Sequence, residues 1–326
     1  MQVSEAVQQA GAALFEYDPA VLQPISHGGA PDGAVYTDGR CVVKFMPLHA
    51  EKMPATEARL AFVEHLQQQG VGVPCYLRSR QGRLVEALAV GEERYAVTQA
   101  LKAPGRHIDF KRDWGAVFFK RWGRAMGQMH ALAVDYDAAA SIPAWDEEFE
   151  SFMAMCQDAT ILEKWQELGT TLRALPRPRT AYGPIHNDLH VMNMLLDGDA
   201  MTVLDFDVCT QSWFGLDIAI ALLHPVWESC DRPLDEVNAL ARGLGTHFMT
   251  GYRQFYDLDP AWLDHLPEFL RYRQILFLIA LLAEPDDPGN HWRTSTLRAL
   301  RRYVLEDLLV KGADHLRQGI AAAYQE

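Results

Sequence analysis

The chain has 326 residues, enough for one large or two moderate domains with a real core, and its 49% hydrophobic and 22% charged content is ordinary for a globular protein. A net charge of −13 argues against a general nucleic-acid or anionic-membrane binder, which would want a basic face. It suits a cationic partner, although solubility alone also explains an acidic balance.

The opening "MQVSEAVQQAGAALF" lacks a basic start followed by an apolar run, so no secretory signal is expected. Further on, "ISHGGAPDGAVYTD" holds Gly28, Gly29 and Gly33, which could form a flexible turn over a phosphate between two strands; the spacing is not Gly-x-Gly-x-x-Gly, and an ordinary hairpin fits equally well. "RCVVKFMP" has strand character and carries Lys44. In "TEARLAFVEHLQQQG" the spacing of Leu60, Val63 and Leu66 predicts an amphipathic helix that ends at Gly70, with Thr56 as N-cap. Glu57 then stands in the first turn, where the helix dipole alone favours a carboxylate; the functional alternative pairs it with Lys44 to aim the ammonium at a phosphate. After Val73-Pro74 the runs "CYLRS", "RLVEAL" and "RYAVTQAL" read as strands, and "KAPG" breaks the pattern.

From there the chain turns helical. "WGAVFFKRWGRAMGQMHAL" places Phe118, Trp122, Met126 and Met129 at helical spacing as core residues, and "WDEEFESFMAMC" and "TILEKWQELGTTLRAL" continue the pattern. Beyond position 210, four more helical runs follow: "DIAIALLHPVW", "VNALARGLGTHFMTGYRQFY", "HLPEFLRYRQILFLIALLA" and "STLRALRRYVLEDLLVKGADHL". The apolar "ILFLIALLA" is too short to span a bilayer. Trp213, Trp227, Tyr252 and Tyr272 could wall an acceptor pocket, but each reads first as core. Five cysteines, at 41, 75, 156, 209 and 230, are scattered without Cys-x-x-Cys spacing, which predicts reduced thiols in a cytoplasmic protein.

Between the two helical stretches lies "AYGPIHNDLHVMNMLLDGDAMTVLDFDVC". If residues 186 to 190 were one strand, His186, Asp188 and His190 would share a face and could hold a transition metal for hydrolysis. A second reading uses more of the segment. Asp188 and Asn193 have Asp-x-x-x-x-Asn spacing after a histidine, and Asp205-Phe206-Asp207 follows across a hairpin whose turn is Asp197-Gly198-Asp199, close to the protein-kinase pattern. The hairpin brings Asn193 and Asp205 together as oxygen ligands for Mg²⁺, and leaves Asp188 on the preceding loop to accept a proton from an attacking hydroxyl.

Taken with "VVKF", "EARLAFV", "VGVPC", "AMGQMHAL" and "GLDIAIAL", these motifs resemble the aminoglycoside phosphotransferase and choline kinase family over roughly residues 20 to 280. The "DFD" form and the "GYR" run look most like its stress-response kinase and type II homoserine kinase branch. The resemblance implies an α+β, bilobal protein-kinase-like fold, with a small β-rich N-terminal nucleotide-binding lobe (1–101) and a larger, mainly helical C-terminal lobe (102–326) that carries the catalytic loop and acceptor site. It implies ATP and Mg²⁺ as cofactors, Asp188 as base, Asn193 and Asp205 as metal ligands, and Lys44 with Glu57 as the phosphate-orienting pair. It also suggests Asp207 as a second acidic group near the metal, His186 as a structural histidine behind the metal aspartate, His190 as a hydrogen-bonding loop residue, and Asp217 as the tie between the catalytic loop and the next helix. Asn187 departs from the family, which usually has glycine there; asparagine tolerates left-handed backbone angles. The expectation is an ATP-dependent phosphotransferase acting on a hydroxyl of a small, cationic or homoserine-like molecule, with a protein serine/threonine kinase or a nucleotide-binding pseudoenzyme as alternatives.

Overall fold

The computed structural model describes residues 2–25, 33–49, 52–285 and 289–325. Gly28 and Gly29 lie outside the described residues. The chain forms two compact units: one comprises Met1–Ile108, Tyr136–Ile142 and Val191–Val208, the other Asp109–Asp135, Pro143–His190 and Cys209–Glu326.

The first unit is built on an antiparallel sheet. Helix α1 (Glu5–Leu14) precedes the short strand β1 (Gln23–Pro24), β2 (Ala34–Thr37) and β3 (Cys41–Pro47); helix α2 (Met53–Gln68) then leads to β4 (Tyr76–Leu77), β5 (Val85–Val90) and β6 (Glu93–Leu101). The strands lie in the order β1-β2-β3-β6-β4, and β5 also pairs with β6. Successive side chains of β3 point to opposite faces. Val43 and Phe45 pack with Val7 and Phe15 at the α1 end and with Val97 of β6, whereas Met46 joins Leu60 of α2 and Leu84 on the other side. Lys44 lies between Val43 and Phe45, so it leaves the sheet on the face opposite α1.

Helix α2 starts earlier than expected. Its first residue is Met53, because Pro54 suits a first turn, where its missing N–H is unused. Thr56 therefore lies inside the helix and its hydroxyl donates back to the Lys52 carbonyl, while Glu57 falls beyond the first turn. Gly70 closes the helix as expected: at φ +82° it lets Val71 N reach Leu66 O and Gly70 N reach Gln67 O, both 3.0 Å, the paired bonds of a Schellman ending.

A three-stranded sheet completes this unit: β7 (Arg106–His107), then, past β8 (Tyr182–Ile185) of the second unit, the hairpin of β9 (Met194–Asp197) and β10 (Ala200–Val203). Its two-residue turn is Gly198-Asp199, as the sequence suggests. The hairpin is gripped on both sides. Arg106 pairs with Leu196 along β7, and Val203 N donates to Gly72 O at 2.8 Å. Gly105 has φ +103° and lies against the Leu196 carbonyl, and a Cβ on Gly72 would overlap the Met201 carbonyl, so both contacts need glycine.

The second unit is mainly helical: α3 (Ala116–Val134), α4 (Trp145–Met155), α5 (Ala159–Arg173), α6 (Phe214–Trp227), α7 (Leu234–Tyr252), α8 (Leu266–Ala283), α9 (His291–Leu305) and α10 (Ala313–Ala323), with β8 paired antiparallel to β11 (Thr210–Trp213). The last expected helical run is split, since Asp307 and Gly312 both take left-handed angles, at φ +53° and +83°. Phe118, Trp122, Met126 and Met129 are buried, as are Trp213, Tyr252 and Tyr272; Trp227 is half-buried. All five cysteines are free thiols. Among the described residues, no helix is long and apolar enough to cross a membrane.

The approach of α3 to α7 is set by small residues. A Cβ on Gly123 or Gly127 would overlap the carbonyl of Phe248 or of Tyr252. Gly127→Ala should therefore lower stability by about 1–3 kcal/mol, the cost of overpacking. Gly243, also on α7, has open space around its Cβ position, and Gly243→Ala should instead raise stability by about 0.5–1 kcal/mol through helix propensity. Urea denaturation midpoints of the two variants should move in opposite directions.

Candidate active site

Within the first unit the site is assembled by the hairpin. Met194 is paired with Val203, so Asn193 and Leu204 face each other just past the paired strands, with Leu204 N donating to Asn193 O at 2.8 Å, and Asp205 comes next. Asp205 turns the chain at φ +62°, a left-handed angle that aspartate visits more readily than most residues. Lys44 meets this end of the hairpin. Its Nζ lies 3.5 Å from Asp205 Oδ1 and donates a short hydrogen bond to Asp207 Oδ2. Burial works against the ammonium, but Asp207 and Asp205 outweigh it and raise the Lys44 pKa above its ordinary value.

Glu57 is not the partner of Lys44. Its Oε1 accepts Leu84 N at 3.4 Å, because the early start of α2 commits Glu57 to the β5 end of the sheet. Asn193, Asp205 and Asp207 offer only amide and carboxylate oxygens. That donor set fits Mg²⁺, which prefers hard oxygen ligands and uses one or two protein groups. The transition-metal reading loses its geometry: β8 ends at Ile185, so residues 186–190 are a loop and do not alternate as a strand.

In the second unit, that loop is held from behind. Asp217, fully buried near the start of α6, accepts His186 N at 3.1 Å and Asn187 N at 2.9 Å on its two oxygens. The buried His130 ring of α3 bridges Asp217 Oδ2, 3.1 Å from Nε2, and the Tyr252 hydroxyl, 2.8 Å from Nδ1. The close α3–α7 approach therefore reaches the loop through Tyr252, His130 and Asp217. Asn187 takes φ +67°, the left-handed angle for which the family's usual glycine is suited, and its Nδ2 donates to Glu148 Oε1 at 2.8 Å. Glu148 Oε2 in turn accepts the Tyr272 hydroxyl at 2.8 Å, and burial pushes the Glu148 carboxyl above the ordinary range despite these bonds.

Asp188 follows Asn187. Its N donates to His186 Nδ1 at 3.3 Å, its Oδ1 accepts a short bond from Arg273 of α8, and its Oδ2 is 3.5 Å from His190 Nε2. Burial alone would raise this carboxyl; Arg273, then His190 and His186, outweigh it and hold it well below the usual carboxylate range. His190 stacks on His224, ring centroids 5.1 Å apart, and burial lowers the His224 pKa to about 4.

The structure thus brings together Lys44, Asp205 and Asp207 in one unit and His186, Asp188, His190 and Asp217 in the other, whereas sequence reasoning pairs Lys44 with Glu57. Sequence reasoning missed Arg273, Glu148, His130 and His224. These sit in helical runs, where a charged residue beside apolar core positions, as in "WDEEF" for Glu148 or "RYRQIL" for Arg273, is the one available signal.

The family model for "Phosphotransferase enzyme family" matches residues 21–266. The chain belongs to the phosphotransferase enzyme family. It is 34% identical over 224 residues to amicoumacin kinase of Bacillus subtilis (strain 168), an alignment spanning 67% of this chain and 66% of that protein. With homoserine kinase of Parvibaculum lavamentivorans it shares 26% identity over 307 residues, 86% of this chain and 90% of the relative. The fold is that of the kinase-like phosphotransferases: the solved amicoumacin kinase hAmiN, a complex with AMP-PNP, Ca²⁺ and Ami, superposes with a TM-score of 0.81 at 24% identity, covering 94% of each chain.

Asp217→Ala would leave two buried N–H donors without an acceptor. Each should cost about 1–3 kcal/mol. Urea denaturation should show the summed loss, and hydrogen exchange should show the His186 and Asn187 amides opening faster than in the parent.

Proposed function

We propose that this phosphotransferase moves the γ-phosphate of ATP to a hydroxyl of a small molecule, with Mg²⁺ as its metal. The observation that carries the reading is Asp188: a partly buried carboxylate kept ionised by Arg273, on a loop whose backbone is fixed by Asp217. Phosphoryl transfer asks for positioning and charge stabilisation rather than covalent work by the protein. Lys44 binds the phosphates; Asn193 and Asp205 would hold the metal, which would supply charge neutralisation to the phosphates. Asp188 takes the proton of the acceptor hydroxyl as its oxygen bonds to the γ-phosphorus and the bond to the ADP oxygen breaks.

The nucleotide function belongs to residues 1–101 together with the metal ligands of the hairpin, and acceptor binding to the helical part of 102–326. Asp207, rather than Glu57, orients Lys44. The acceptor is an amino-bearing alcohol, which suits a chain that carries −13. The printed names of two relatives, amicoumacin kinase and homoserine kinase, support a small-molecule acceptor, and the AMP-PNP and Ca²⁺ of hAmiN support a nucleotide with a divalent ion. Five free thiols suit a cytoplasmic setting.

Two measurements test this. Asp188→Asn should lower turnover about 10²- to 10⁴-fold, the range of general-base loss, while MgATP still raises the melting temperature; parent-like turnover removes Asp188 from the mechanism. In nucleotide titrations Asp207→Asn should weaken MgATP binding and Glu57→Gln should leave it unchanged. The reverse order would return the orienting role to Glu57.

A further inference from the structure

Arg273 stands on α8 directly after Tyr272, and these two neighbours reach the catalytic loop by different routes. Tyr272 acts through Glu148, which holds the Asn187 amide; Arg273 touches the Asp188 carboxylate itself. The Asp188 and Arg273 side chains are 28% and 22% exposed, so the pair is sheltered enough for its geometry to matter. With Arg273 on Oδ1 and His190 near Oδ2, both carboxylate oxygens are oriented. Through this one Nη2 donor a guanidinium does better than an ammonium, because its donor is fixed in a rigid plane and stays charged, whereas an ammonium is a rotating point charge.

We propose that Arg273 is a positioning residue for phosphoryl transfer, locking the Asp188 carboxylate in the orientation from which it receives the acceptor's hydroxyl proton. The inference rests on Asp188 being the base. Arg273 stays protonated throughout, and the proton passes from the hydroxyl to Asp188 alone. Among the described residues, the groups facing Asp188 include Arg273 from α8, Glu148 from α4, His224 from α6, and His186 and His190 of its own loop, and of these Arg273 is the permanent cation. Removing it leaves burial to dominate, so the Asp188 pKa should rise.

The test compares Arg273→Met and Arg273→Lys with the parent, using ADP release from MgATP with homoserine, ethanolamine or amicoumacin as acceptor. For Arg273→Met, kcat should fall about 10- to 100-fold, as for a misplaced catalytic group, with KM for ATP unchanged. The acid limb of kcat/KM should also move to higher pH. Arg273→Lys should keep the acid limb near its original place, because the charge remains, while kcat still falls because the rigid planar donor is lost. A parent-like kcat in Arg273→Met overturns the proposal. So does a lowered kcat with an unmoved acid limb, which marks a merely structural role, or a rise in acceptor KM alone, which marks an acceptor-binding residue.

If no acceptor supports turnover, the proposed function fails and the pairing is still measurable. Melting temperatures of Arg273→Met, Asp188→Asn and the double variant at pH 7 should be non-additive, with the double variant closer to the parent than the sum of the single losses. Additive losses would overturn the inferred coupling.

Discussion

Asp217 is the constraint on which the loop of residues 186–190 depends. A fully buried carboxylate is costly unless its oxygens are satisfied, and here they take two successive backbone N–H groups, from His186 and Asn187, together with the His130 ring. Two adjacent amides can point at one carboxylate only if the loop bends sharply, and Asn187 supplies the bend with its left-handed φ. The bend then presents Asp188 to Arg273 and His190. Burial of the anchor, shape of the loop and state of the Asp188 carboxylate are therefore one chain of causes. Its far end lies in the helix packing: Gly127 lets α3 come close enough to α7 for His130 to meet the Tyr252 hydroxyl.

The first unit solves a parallel problem with a hairpin. Lys44 leaves the sheet on the face opposite α1 because of strand alternation, and it would be a poorly solvated cation there without carboxylates. Asp205 and Asp207 supply them, since Gly72 and Gly105 let the backbone on either side close on the hairpin. The same two aspartates neutralise Lys44 in the free protein, and they are the groups that the proposed phosphate and metal recognition would draw on. Under the proposed function, binding a nucleotide with its metal would rearrange the Lys44 pairs rather than simply fill a space.

Much of this was legible in the chain. Apolar periodicity marked α2, α3 and the helices after position 210; the Asp197-Gly198-Asp199 turn marked the hairpin; and the two-residue loop fixed the register that sets Asn193 beside Leu204. What escaped was of two kinds. Local propensity misplaced the start of α2, because Pro54 was a better first-turn residue than Thr56 was a cap, and the late helical run was read through the left-handed residues Asp307 and Gly312. The other kind is long-range pairing. Lys44 and Asp207 are 163 residues apart, and Asp188 and Arg273 are 85 apart, so no local pattern names either partner. Glu57, close in sequence to Lys44, was the natural but wrong choice of salt-bridge partner.

The central claim is that Asp188, on its Asp217-anchored loop, directs phosphate onto an alcohol. Phosphorus NMR of the parent enzyme with MgATP and a panel of amino alcohols tests it most directly. The account predicts ADP appearing in step with a new phosphomonoester of one acceptor, its signal coupled to the protons of the carbon bearing the hydroxyl. ADP accompanied only by inorganic phosphate, or a phosphorus signal on the acceptor's nitrogen, would contradict it.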